Sequence, residues 1–143
     1  MEGSQKELHN PELLVSPLTA KEATVSSKIE GTQSTVSDIF MYEAGGKTKH
    51  SDVSEVSNYR KAMSFAIEEM SKGRNITSHL IKTLHSLLLK DVRHKGVLGD
   101  FRQSQVWLGP EGAPIEKATY VPPENIKVPE YMENLFDYVK DGK

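Results

Sequence analysis

The 143-residue sequence contains no cysteine. That excludes a disulfide framework, a thiolate metal site and a cysteine nucleophile. Long apolar runs are missing as well, since no stretch approaches the ~20 residues a helix needs to cross a bilayer. Charge of one sign is not in excess. The net charge of −2 gives no electrostatic reason to expect nucleic acid or an anionic membrane as a partner. Residues 1–10 are polar and mixed in charge, unlike a signal peptide, so the expected location is the cytoplasm. Apolar residues make up 36% of the chain, enough for a modest core in one compact domain or in part of a larger one.

The pattern along the chain is mainly helical. Residues 1–15 read as a flexible lead-in. Ser16-Pro17 then marks a helix start, with a Ser cap and Pro in the first turn, running over about 17–30 to a stop at Gly31. A short helix is expected over about 35–43, before the breaker Ala44-Gly45-Gly46. Asp52-Val53-Ser54-Glu55 has the form of a capping box opening a helix over about 52–72. Val56, Tyr59, Met63, Ala66 and Met70 recur along one face of that helix and are expected in the core. Thr77 can cap a fourth helix over about 77–93, whose stripe is Leu80, Ile81, Leu84, Leu87, Leu88 and Val92.

From Gln105 the pattern changes. Gln105-Val106-Trp107-Leu108 and Ala118-Thr119-Tyr120-Val121 are short β-favouring runs around a Gly/Pro-rich segment, which predicts a hairpin over about 105–121. Trp107 and Tyr120 lie on its two arms and are expected to face each other. A last helix over about 129–141 carries Met132, Leu135, Phe136 and Val139 on one face.

The five histidines are His9, His50, His79, His85 and His94, and none precedes an anion-binding loop. His79 and His85 are six residues apart, which does not put them on one helical face as a metal pair would require. They read as packing or solvent-facing residues, and His94 as part of a polar helix exit. Arg102 reads as a structural ion pair or a contact to nucleotide or target. Glu30 taken alone is a carboxylate near a helix C-terminus. The helix dipole disfavours it there, and so it points to an external cation.

Two segments carry a resemblance. Thr24-Val25-Ser26-Ser27-Lys28-Ile29-Glu30-Gly31-Thr32 resembles the inhibitory motif of the Fic family, Ser/Thr followed after three residues by Glu and then Gly or Asn. Gly99 to Gly109, continuing to Ala118-Thr119-Tyr120-Val121-Pro122-Pro123, is similar to the stretch that forms that family's active-site flap. The two lie about seventy positions apart, in the family's order. Two positions depart from it: Val106 stands where Asn is frequent, and Pro110 where a second Gly is common.

The resemblance implies a fold, an activity and a set of partners. The fold would be a helical Fic N-terminal domain over 16–143 with one small flap hairpin, incomplete without the C-terminal catalytic helices. Fic enzymes transfer AMP from ATP to a protein hydroxyl, using ATP and magnesium. Their catalytic motif, His-Pro-Phe-x-Asp-Gly-Asn-Gly-Arg, is absent from these 143 residues. The chain is therefore expected to be inactive alone and to bind neither ATP nor magnesium tightly.

By the same resemblance, Ser26, Glu30 and Gly31 form a regulatory site. Its Glu occupies the Arg that would otherwise hold the γ-phosphate of ATP. Gln105, Val106, Trp107, Leu108, Ala118, Thr119, Tyr120 and Val121 would form the flap that clamps a target protein as an added strand. The expected partners are a catalytic half in cis or a separate Fic enzyme in trans, together with the target protein. Apolar faces without their usual cover would also favour self-association. A free-standing inhibitor that acts in trans as an antitoxin does, or a helical interaction module, stands as the alternative.

Overall fold

In the computed structural model, residues 12–92 and 96–142 are described. They form five α-helices: α1 (Glu12–Ile29), α2 (Val36–Glu43), α3 (Val53–Ser71), α4 (Ser78–Leu88) and α5 (Val128–Asp141). Two single 3-10 turns lie at Ile115–Lys117 and Asn125–Lys127. The architecture is mainly helical, and the described residues contain no sheet. The expectations for residues 1–11, His9 and His94 lie outside the described residues. The described residues divide into two compact units, one within residues 1–68 and 87–93, the other within residues 69–86 and 94–143.

In the first unit, α1 begins at Glu12 rather than at the Ser-Pro signal, so Pro17 lies inside the helix. Pro17 is its sixth residue, beyond the first four whose N–H groups have no helical partner, so it removes one hydrogen bond from the second turn of α1. Ser16 is released from capping. Its hydroxyl accepts a 2.6 Å hydrogen bond from Arg60, and its carbonyl accepts one from Thr19 Oγ1 at 2.9 Å.

One face of α1 buries small side chains, Thr19, Ala20, Ala23 and Thr24. Ala23 joins Ile39, Val53 and Val56 in the core, with Tyr59 packed against them. Fully burying Ile39 and Val56 contributes about 1.5–3 kcal/mol each. Arg60 of α3 ties the three helices together. Besides Ser16 it reaches Thr19 Oγ1 at 3.4 Å, pairs with Glu43 of α2, and stands 5.3 Å from the Phe40 ring centre.

The capping box proves to be at Thr35 and Asp38, where Thr35 Oγ1 accepts from the Asp38 N–H at 3.2 Å and the Asp38 carboxylate accepts from the Thr35 N–H at 2.9 Å. Asp52, expected to cap α3, instead accepts the Gln33 N–H at 2.6 Å and the buried Ser34 hydroxyl. The predicted core face of α3 is also only partly right. Val53, Val56 and Ala62 are buried, Met63 is half-buried, and Met70 is 45% exposed. Helix α4 stops at Leu88, five residues short of the expected end. Asn58 of α3 takes the carbonyls of Leu88 (3.2 Å) and Lys90 (2.7 Å), and Asp91 turns to φ +58°. Val92 is thus off the helical stripe.

In the second unit Thr77 caps α4, accepting from the Leu80 N–H at 3.2 Å. One side of α4 holds the turn that follows. Lys82 pairs with Asp100 at 2.8 Å and stands 4.8 Å from the Phe101 ring centre, and His85 Nδ1 accepts from the Gly99 N–H at 2.9 Å. Gly99 has φ +69°, and a Cβ there would come within 2.1 Å of Ser86 Oγ, so a side chain would strain the backbone and displace that hydroxyl. At the other end of α4, the Ser78 hydroxyl bonds Glu133 of α5. On α5 Phe136 is buried and Met132 half-buried, whereas Leu135 and Val139 are exposed.

The expected hairpin is reduced to a single antiparallel bridge, Leu108 with Tyr120. Leu108, not Trp107, therefore stands opposite Tyr120. Prolines at 110, 114, 122 and 123 remove ladder donors, which explains why no strands extend from the bridge. The segment is organised by side chains that donate to main-chain carbonyls. Arg102 reaches Ser104 (2.9 Å) and Pro123, Gln105 Nε2 reaches Pro122 (2.9 Å) and Val106 (3.0 Å), Trp107 Nε1 reaches Ala113 (3.0 Å), and Asn125 reaches Gln103 (3.0 Å). Arg102 is thus a structural residue that pins carbonyls rather than one half of an ion pair.

Two outcomes follow. Burial pushes the Asp52 carboxyl up, but the Ser34 and Gln33 hydrogen bonds and nearby His50 more than offset it, leaving it below the ordinary 3.8. A carboxylate lowered in this way stabilises the fold above pH ~4 and ceases to do so as pH falls through its folded value. Asp52→Ala should cost about 1–3 kcal/mol at neutral pH, because it strands the Ser34 hydroxyl and the Gln33 N–H. Denaturant titrations should show that gap narrowing below pH ~4. In the second unit, Arg102→Ala should speed hydrogen exchange at Leu108, Thr119 and Tyr120 while leaving α4 protection unchanged.

Candidate functional site

The Glu30 region is set by the way α1 ends. Ile29 is the last helical residue, and Gly31 adopts φ +94°, a left-handed conformation that glycine enters without penalty. The Thr32 N–H bonds back to the Ser27 carbonyl at 3.3 Å and the Gly31 N–H to that of Lys28 at 3.0 Å, the paired bonds of a Schellman ending. Glu30 is the C-cap residue of that turn, its side chain is exposed, and it has no ion-pair partner among the described residues. The helix dipole disfavours a carboxylate there, so its charge is uncompensated within the described residues.

Ser26 lies one turn earlier, but its hydroxyl donates to Glu22 at 2.7 Å and not toward Glu30. The structure brings other residues to Glu30. A cavity of about 280 Å³ is bordered by Ser27 and Glu30 at the end of α1 and by Thr32 just beyond it. Glu55 and Tyr59 of α3 and Leu88, Leu89 and Val92 complete it. The sequence reading assigned Glu55 to a capping box, and nothing local signals that it shares a cavity with a residue twenty-five positions away. Thr32 carried no signal either, beyond following the Glu-Gly pair.

The opposite face of α1 is unusual. Leu14, Leu18, Val25 and Ile29 fall within one narrow arc of the helix, on the side away from its buried residues, and all are exposed, Ile29 at 86%. Four aliphatic side chains in water on one helical stripe form a surface made for cover.

In the second unit the flap residues sit on the laced segment described above. Val106, Leu108, Tyr120 and Val121 are exposed, as is Trp107 at 39%, while Gln105 and Ala118 are half-buried. The main-chain N–H groups of Val106, Trp107 and Val121 make no main-chain hydrogen bond among the described residues. Beside them a cavity of about 410 Å³ opens between Gln105, Ile115 and the stretch 121–126. The donor chemistry for a metal is missing here: the described residues hold no group of three or more His, Asp or Glu side chains arranged to bind one. No helix among them is long and apolar enough to cross a membrane.

Comparison with known proteins finds both a family model and solved structures that match. Residues 1–68 match the family model described as Fic/DOC family N-terminal. The fold matches the crystal structure of a Fic family protein from Desulfovibrio desulfuricans G20, at 2.70 Å resolution, with a TM-score of 0.61 and 19% identity. The match covers 92% of this chain and 38% of that one, so the chain spans well under half of its structural relative's length. No curated protein matches the sequence. Residues 1–68, the stretch that builds α1, α2 and the first part of α3, are therefore an N-terminal region of the Fic family.

Proposed function

We propose that this chain is the regulatory and target-docking N-terminal part of a Fic-type protein AMP-transferase. In this reading α1 is its inhibitory helix, and the catalytic motif is supplied by another segment in the same cytoplasmic protein. The observation that carries the proposal is the two-faced α1, with small residues packed inward and four aliphatic residues outward. Glu30 is fixed at its end by the Gly31 turn. The outward stripe gives a catalytic half its docking surface, and Glu30 then meets that half's arginine. A guanidinium pairs with a carboxylate through two parallel hydrogen bonds, so an arginine held by Glu30 is withdrawn from ATP.

ATP and magnesium belong to the catalytic half, and the chain's own contribution is to hold or release the arginine. The flap contributes to docking. The free N–H groups of Val106, Trp107 and Val121 offer an extended target peptide main-chain bonds that do not depend on its sequence.

Glu30→Gly tests the inhibitory role. In the parent protein, or with the catalytic segment co-expressed, the variant should raise AMP transfer from α-labelled ATP to protein by roughly tenfold or more, given the strength of a charge-assisted hydrogen bond. Thermal stability should stay within about 0.5 kcal/mol of wild type, because the side chain is exposed. Unchanged transfer would remove the inhibitory assignment.

A further inference from the structure

We infer that His85 is a positioning residue for the flap, and that it works only as a neutral imidazole, so that a proton on its ring loosens the flap. The flap's part in docking rests on the proposed function, whereas the latch rests on geometry within the second unit. The turn that leads into the flap is fastened to α4 at points one helical turn apart. Lys82 pairs with Asp100 at 2.8 Å and stands 4.8 Å from the Phe101 ring centre. One turn further on, His85 Nδ1 accepts the Gly99 N–H at 2.9 Å. The approach is close, for a Cβ on Gly99 would also come within 3.3 Å of the Lys82 carbonyl oxygen.

The Gly99 bond fixes the state of the ring. A main-chain N–H can only donate, so the nitrogen that faces it carries no proton, and the neutral ring keeps its proton on Nε2. A proton taken from solvent onto Nδ1 turns that nitrogen into a donor as well. Two N–H groups then face each other, the bond is lost, and the Gly99 N–H turns to water. Imidazole is the side chain that ordinarily makes this change between about pH 5 and 8.

Lysine and carboxylate groups ordinarily titrate outside that range. Those that the described contacts bring to these elements are Lys82 on α4, Asp100 on the turn and Glu133, which α5 brings to Ser78. The Lys82 hydrogen bond and the Phe101 N–H hold the Asp100 carboxyl below its ordinary 3.8, so the tie to Lys82 outlasts the change in the ring. His79 is an imidazole too, but it stands six residues back, on another face of α4. Arg102 carries the effect onward. It follows the fastened turn and donates to the carbonyls of Ser104 and Pro123, which tie the entry of the flap to its exit. With Gly99 released, the base of that tie is free to move.

The test is a titration of the full chain, labelled with nitrogen-15, between about pH 8 and 5. At the upper end the ring signals of His85 should identify Nδ1 as the bare nitrogen. Hydrogen-exchange protection at Gly99 should fall about fivefold with the same midpoint as the ring, and that at Leu108 and Tyr120 about twofold. Protection of Leu84, inside α4, should stay constant. His85→Asn offers an oxygen acceptor near the place of Nδ1 and takes up no proton, so Gly99 should stay protected in it at every pH. His85→Ala should lose that protection throughout.

A proton on Nδ1 at the upper end, or a Gly99 amide that does not follow the ring, would overturn the inference. So would a His85→Asn variant that titrates like wild type, or a flap that ignores Gly99. Every reading comes from the ring and amides of this chain, so the outcome is separate from the AMP-transfer assay. If Glu30→Gly leaves transfer unchanged while Gly99 follows the ring, the inhibitory reading fails and the latch stands.

Discussion

The reversal at Gly31 is the constraint on which the first unit depends. A left-handed residue ends α1 within one turn, and the chain that leaves it runs inward, burying Thr32 and Ser34. Asp52 can bind Gln33 and Ser34 only because that turn delivers them, and this tie holds the start of α3 against the stretch that leads into α2. The same turn leaves Glu30 outside as the final residue of the cap. The fold of the first unit and the proposed regulatory role of Glu30 thus draw on a single backbone conformation. A side chain at position 31 would strain the turn itself, disturbing the core and the carboxylate together.

Inward of that turn, polar groups carry a large share of the packing. The face α1 buries is made of alanines and threonines, which lets helices approach closely but supplies little apolar area. Arg60 fills the deficit by reaching Ser16, Thr19, Glu43 and Phe40 from one position on α3. An arrangement of this kind is specific more than it is strong, since a charged group in a partly buried site gains stability only when every partner is in place. It also explains the outward stripe on α1. The helix keeps its large aliphatic residues for a surface other than its own core.

Helices were legible in the sequence because their signals are local. Thr77 capping α4, the Gly31 stop and the start of α5 beside Pro129 all follow from residues within one turn. What was not legible depended on distant partners. Asp52 has the spacing of a capping residue but is claimed by Gln33 and Ser34, nearly twenty positions back. The end of α4 depends on Asn58, thirty positions back. The site shows the same split. Glu30 and Gly31 could be named from a motif, while Glu55, Thr32 and Tyr59 join them only through the packing of α3 beside the end of α1. The flap was over-read because β-favouring residues were counted without the prolines that deny them ladder partners.

The lacing of residues 101–125 bears on how such a segment can change over generations. Its bonds run from a few side chains, those of Arg102, Gln105, Trp107 and Asn125, to carbonyl oxygens. Every residue offers a carbonyl, whatever its side chain. The acceptor positions, Gln103, Ser104, Ala113, Pro122 and Pro123 among them, are therefore free of any demand from these bonds on their own identity. Drift at those sites would leave the path of the segment intact while altering what it displays. A scaffold specified by a few side-chain donors and indifferent to its acceptors can acquire new surfaces one substitution at a time.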